Sequence, residues 1–106
     1  LEGANLNKAN LSQTNMEKAN LTNALAIAAN LSESNLRLVT APKVQFLDAD
    51  LRSSDLSEGI FEESVFHKAD LRWTNFSNAN LRFANLTLAK TVDANMEGAD
   101  LFFAQR

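Results

Sequence analysis

The chain has 106 residues, 45% apolar and 22% charged, with 13 acids against 10 bases and a net charge of −3; this is enough for one small domain of ordinary globular composition. That charge balance announces neither nucleic acid nor an anionic membrane as a partner, and no run of 18 apolar residues is present to cross a bilayer. Cysteine is absent, which excludes disulfides, thiolate metal sites and cysteine nucleophiles. The chain starts at Leu1 and shows no secretion leader, as expected of a processed product or an excised piece.

From the start, "GANLNKANLSQTNMEKANL" (Gly3 to Leu21) repeats a small residue, an asparagine and a large apolar residue every five positions. Stepping by five from Leu1 to Arg106 gives 22 centres, of which 18 are Leu, Met or Phe. Two residues before each later centre stands a small side chain, Ala in 13 of 21 cases, otherwise Ser, Thr, Gly59, Val39 or Val44. Five residues advance an α-helix by about 140°, which scatters the centres around its axis. On a flat strand an odd period throws successive centres to opposite faces. Three extended residues followed by a two-residue corner satisfy the pattern. Four such units close a square coil of 20 residues, and coils stack at the ~4.8 Å inter-strand spacing.

This register makes residues n and n+20 neighbours, and the volumes support it. One inward stack reads Leu1, Leu21, Ala41, Phe61, Leu81, Leu101; the next reads Leu6, Ala26, Phe46, Phe66, Leu86. Each undersized Ala lies beneath a Phe, as close packing demands. The third stack holds Leu11, Leu31, Leu51 and Leu71, and the fourth Met16, Leu36, Leu56, Phe76 and Met96. The expected core is therefore Leu6, Leu11, Leu21, Leu31, Phe46, Leu51, Phe61, Phe66, Leu71, Leu81, Leu86 and Leu101.

The pattern resembles the pentapeptide-repeat family, whose signature A(D/N)LXX is carried by the opening stretch and by "GADLFF" (Gly98 to Phe103). The resemblance covers essentially the whole chain. It implies an all-β fold, a right-handed quadrilateral parallel β-helix of about five 20-residue coils with four pentapeptides each, as a single domain over 1–106 with no capping helix. It implies no catalytic residues, and a bacterial cytoplasm or periplasm, or a thylakoid lumen, as the setting.

Along the chain the residue before a centre departs from Asn or Asp at Leu25, Thr40, Gln45, Ile60, Val65, Lys90 and Gln105. Around the least regular stretch, Leu38 to Leu47, two expectations arise: these corners adopt another turn type without an Asx hydrogen bond, or Leu25, Ile27, Leu47 and Val65 form an apolar partner patch on the second face. His67, at its margin, has no second ligand to share a metal and reads as a lone surface histidine. Trp73 sits beside Arg72 and Arg52, a cation–π arrangement. Phe83 and Phe103 are 20 apart and should stack outside the tube beside Phe102, either as an end cap or as a self-association or partner surface.

The convex wall and filled interior leave no concave pocket for a substrate, and no Gly-rich phosphate loop or calcium β-roll pattern occurs. The threonines share no single column, unlike an ice-binding ladder. No cofactor and no enzymatic activity are expected. The first functional reading is a non-enzymatic module that presents side-chain columns to a protein partner or to itself, with a homodimer or end-to-end contacts as forms of the latter. The second is mimicry of DNA toward gyrase, known for some family members; a ~25 Å duplex carries ~15 charges against −3 here, which disfavours it. The third is a repeat spacer within a larger protein.

Overall fold

The computed structural model describes residues 1–106 and contains neither helix nor continuous strand. Every fifth residue from Asn5 to Gln105 is instead a single β-bridge. All bridges are parallel and join residue n to n+20, in four ladders. The first runs Asn20, Thr40, Ile60, Asn80, Asp100; the second Asn5, Leu25, Gln45, Val65, Asn85, Gln105; the third Asn10 to Lys90; the fourth Asn15 to Asn95. The stacked coils measure 28 × 23 × 23 Å, a squat block barely longer than it is wide.

The architecture follows from where backbone donors go. In Asn30 to Ser34 the Asn30 N–H donates to Ala9 O at 2.9 Å in the preceding layer, and the Leu31 N–H to Asp50 O at 2.7 Å in the following one. The Glu33 N–H donates to Arg52 O at 2.8 Å, and the Ser34 N–H closes the corner onto Leu31 O at 3.3 Å. The remaining donor, Ser32 N–H, is taken by Asn30 Oδ1 at 3.0 Å. All five donors of the unit are paired. The 71 backbone–backbone bonds in 106 residues match the density of an ordinary fold, without one regular helix or strand.

The corners are uniform. All 21 second turn positions, Gly3 to Phe103, have positive φ, between 54° and 63° in the 19 that are not glycine. Together with the backbone bond that closes 20 of the 21 corners (at Thr14 the side-chain hydroxyl donates to Leu11 O instead), this is the geometry of a type II turn. The expectation of another turn type at the irregular corners is overturned: φ is 59° at Leu38, 61° at Lys43, 57° at Asp48 and 59° at Lys68. Their second turn N–H groups remain tied to the next layer, for example Asp48 to His67 O at 3.0 Å. The ladder therefore sets the turn, and the Asx side chain only completes it. All 14 corners with Asn or Asp before the centre do have that side-chain bond. At Thr40 the demand disappears, because the recipient position is Pro42, which has no N–H. At Leu25 the Ile27 N–H is taken by Asn7 Oδ1 of the neighbouring layer at 2.9 Å.

Inside, the centres from Leu21 to Leu81 are fully buried. Leu6, Leu11 and Leu101 are only half-buried, a correction to the expected core; their layers have a neighbour on one side only. Phe46, Phe61, Phe66 and Phe76 form one cluster, Phe46 stacked on Phe66 at 5.3 Å and the other pairs edge-on at 5.5 to 6.0 Å. Where the small column holds a hydroxyl, it bonds a centre carbonyl: Ser34 to Leu31 O, and both Ser54 and Thr74 to Leu51 O. No buried side-chain polar atom lacks a partner. Gly59 is small for a local reason, since a Cβ there would lie 2.5 Å from Phe61 Cε2.

Three outcomes are expected in urea unfolding. Gly59→Ala overpacks the Phe cluster and costs about 1–3 kcal/mol; an unchanged midpoint would show that Phe61 has room to move. Asn35→Ala leaves the Arg37 N–H without its side-chain acceptor and costs about 1 kcal/mol, whereas Ile60→Asn gains the missing bond and does not destabilise.

Candidate functional site

The interior is filled except at the C-terminal end, where the centres Leu86, Thr91, Met96 and Leu101, with Arg106, line an open cavity of about 250 Å³, a correction to the expectation of no concave pocket: the last layer has nothing above it. The other candidate sites lie on the outer wall, where the turn residues stand in columns 20 apart. Three column groups differ from a plain polar surface.

On the second ladder, Leu25 is 36% exposed, while Ile27, Leu47 and Val65 are half-buried. Leu25 and Val65 share the bridge column, and Ile27 and Leu47 share the first turn column next to it. His67 continues that turn column, and its Nδ1 lies 2.5 Å from Thr87 Oγ1. The Thr87 hydroxyl donates to Asn85 Oδ1 at 2.7 Å, so its lone pair accepts from the histidine, which fixes the proton on Nδ1.

At the corner between the first and second ladders, Phe83 stacks on Phe103 at 5.6 Å, and Phe102 meets them edge-on at 6.1 and 4.4 Å. Phe83 and Phe102 are about half exposed, and Phe103 is 70% exposed. The Arg82 guanidinium lies 4.5 Å over Phe102 and 5.8 Å over Phe83, and its Nη1 donates to Asp100 Oδ2 at 3.3 Å. A shallow depression lined by Glu63, Ser64, Val65, Phe83 and Asn85 joins this cluster to Val65. The second-ladder residues and the phenylalanines thus form neighbouring parts of one surface. That continuity is invisible in sequence, because it runs diagonally from one column to the next.

The third ladder holds what the sequence concealed. Asp50 and Asp70 read as turn residues, yet each also grips an arginine in a two-pronged pair. Arg52 Nε and Nη2 donate to Asp50 at 2.9 and 2.7 Å, and Arg72 to Asp70 at 2.8 and 2.6 Å. The signal was present as Asp-Leu-Arg at both Asp50 and Asp70. Hydrogen bonds from the guanidinium hold each carboxyl below its ordinary range, against an opposing effect of burial, and each arginine is raised above its own. Arg72 also lies 5.5 Å over the Trp73 ring. No group of three or more His, Cys, Asp or Glu side chains is placed to hold a metal, and no helix is long and apolar enough to cross a membrane.

A family model of pentapeptide repeats matches the sequence in 8 copies, over residues 1–40, 45–82 and 79–105. No curated protein matches. Among solved structures, a pentapeptide repeat protein from the cyanobacterium Cyanothece 51142 is similar at a TM-score of 0.79 and 23% identity, with 97% of this chain and 88% of that one covered. A pentapeptide repeat protein from the Arabidopsis thaliana thylakoid lumen gives 0.61 and 26%, over 94% of this chain and 66% of that one. QnrB1, a plasmid-mediated fluoroquinolone resistance protein, gives 0.53 at 16% identity, over 98% and 68%; that likeness is one of fold.

The Asp–Arg forks carry a pH dependence. A carboxyl depressed in the folded chain adds stability above its unfolded pKa, and that stability is lost as pH falls through the folded value. The thermal midpoint is therefore expected to fall as pH drops below the ordinary aspartate range near ~4, and to fall less steeply in Arg52→Gln/Arg72→Gln. Parallel pH profiles for the two proteins would contradict this.

Proposed function

The chain belongs to the pentapeptide repeat family, and from that premise we propose that it is a non-enzymatic interaction module. In this reading residues 1–106 form a single right-handed quadrilateral β-helix of about five 20-residue coils, four pentapeptides to each, and its wall holds side-chain columns in fixed register for a protein partner. A thylakoid lumen or a bacterial compartment is the setting, the former by likeness to the Arabidopsis protein.

The observation that carries the reading is the apolar surface at the first corner and second ladder. Phe83, Phe102 and Phe103 pack on one another in the open, where polar turn residues would serve the fold equally well. Contiguous exposed apolar groups of this kind mark contact sites, and aromatic anchors beside an arginine are the residue types that dominate binding energy. A rigid presenting surface also reduces the ordering cost of association. Mimicry of DNA is disfavoured by the third ladder, where Asp50 and Asp70 are each paired with an arginine, and by the net charge of −3.

The test is affinity capture from an extract of the source cells with three immobilised proteins: the native chain, Leu25→Asn/Leu47→Asn, and Phe103→Asp. Asn already stands in the Leu25 column at Asn5 and Asn85 and in the Leu47 column at Asn7, and Asp occupies the second turn position at Asp48 and Asp93, so the fold is retained. One or more proteins held by the native chain and lost from a variant are expected. An identical retained set from all three would contradict the assignment of this surface.

A further inference from the structure

The corner between the third and fourth ladders interrupts its own profile. Its second turn positions read Gln13, Glu33, Ser53, Trp73 and Asp93, so a small side chain stands between two large ones. The register is fixed by the bonds Glu33 N–H to Arg52 O at 2.8 Å and Ser53 N–H to Arg72 O at 3.1 Å. Glu33 and Trp73 are two layers apart, roughly 9.6 Å. The notch between them has a volume of about 160 Å³ and is lined by Ser32, Glu33, Arg52, Ser53 and Trp73. That is below the ~300–1,000 Å³ of a drug-sized site and takes one small ring.

The groups around the notch are unspent. Trp73 is 52% exposed. Arg72 lies 5.5 Å over its ring but forms no part of the notch wall, so the indole surface that borders the notch is open. Arg52 uses Nε and Nη2 on Asp50, which leaves Nη1 as a donor. Its ion pairs go to Asp50 and Asp70, which leaves the exposed Glu33 carboxylate as an acceptor. The Ser53 hydroxyl serves as either.

We propose that this notch binds an uncharged pyranose sugar, independently of the protein-partner surface at the first corner. An anion would be set against Glu33, and a cation against Arg52. An apolar ring would strip water from polar groups and pair none of them. A pyranose has a face of C–H groups, which rests on the electron-rich face of an indole. Its neighbouring hydroxyls accept from Arg52 Nη1 and donate to the Glu33 carboxylate, and hydrogen bonds to charged groups are the stronger kind. The ladder holds Glu33, Ser53 and Trp73 in place before the sugar arrives, which lowers the ordering cost. An open wall covers only one side of the ring, so the affinity is millimolar.

The chain has one tryptophan, so its indole N–H resonance is an unambiguous reporter. Indole and amide shifts are followed by NMR as methyl β-glucopyranoside, methyl α-mannopyranoside or cellotetraose is added, with glycerol, choline and inorganic phosphate as controls. The expected result is a saturable shift of the Trp73 indole and of the Glu33 and Ser53 amides with at least one pyranoside, at a Kd of about 1–30 mM, and no saturation with the controls. Tighter binding of cellotetraose than of the methyl glycosides marks a glycan chain as the source, and equal binding marks a free sugar. Ser and Gln already stand in this column at Ser53 and Gln13, so Trp73→Ser and Ser53→Gln keep the fold, and each weakens binding roughly tenfold or more. Phe103→Asp, at the other corner, binds the sugar as the native chain does, so this proposal and the interaction-module reading fail separately. No saturable shift with any pyranoside, the same shifts with glycerol, tighter binding of choline or phosphate at these residues, or an affinity unchanged in Trp73→Ser and Ser53→Gln overturns the proposal.

Discussion

Every feature of this protein depends on the inter-layer hydrogen bonds made by the backbone N–H groups of each pentapeptide. Three of the five donors reach neighbouring layers, one closes the corner and the last is met by the Asn or Asp two residues earlier. Five residues are the smallest unit that contains a bridge and a corner and still satisfies its donors, and that accounts for the spacing of the sequence. An unpaired buried donor costs about as much as a lost hydrogen bond, so the pattern is enforced at each repeat. The left-handed second turn residues show how strongly. Nineteen non-glycine residues accept a conformation costing on the order of 1 kcal/mol each; in every layer but the last, the same residue's N–H is held by the layer that follows.

The side chains divide accordingly. Centres and small residues point inward, and their volumes must match across n and n+20, which accounts for Ala26 and Ala41 among phenylalanines and for Gly59 beside Phe61. Turn residues point outward and carry almost no structural duty, since the ladder holds them whatever they are. That freedom lets one corner show Lys43, Glu63 and Phe83 in successive layers. It also lets the third ladder use one aspartate oxygen both for the turn amide and for an arginine fork. The wall can vary in chemistry with no change in shape.

The register, the four inward stacks and the stacking of Phe83 on Phe103 were legible in the sequence, because the repeat never slips and residues 20 apart fall together by arithmetic. The behaviour of the irregular corners was not. Leu25, Gln45, Ile60 and Val65 lack the Asx acceptor, but the force holding their turns comes from the layer above, and no local reading of a pentapeptide contains it. The Asp–Arg forks were hidden because Asp50 and Asp70 already had a sufficient explanation as turn residues. The diagonal link from Val65 to Phe83 lies between columns, where a column-by-column reading does not look.

Native-state amide hydrogen exchange resolved by residue tests the central claim most directly. The first turn amides of Leu47, Glu62 and His67, whose corners offer no Asx acceptor, should exchange faster than those of Ser32, Arg37 and Ser77, which have one. The second turn amides Asp48, Glu63 and Lys68 at those same corners should be as slow as Glu33, Leu38 and Asn78, because the ladder holds both sets. Fast exchange of Asp48, Glu63 and Lys68 would contradict this, since it would mean that the Asx side chains, and not the inter-layer bonds, hold the corners.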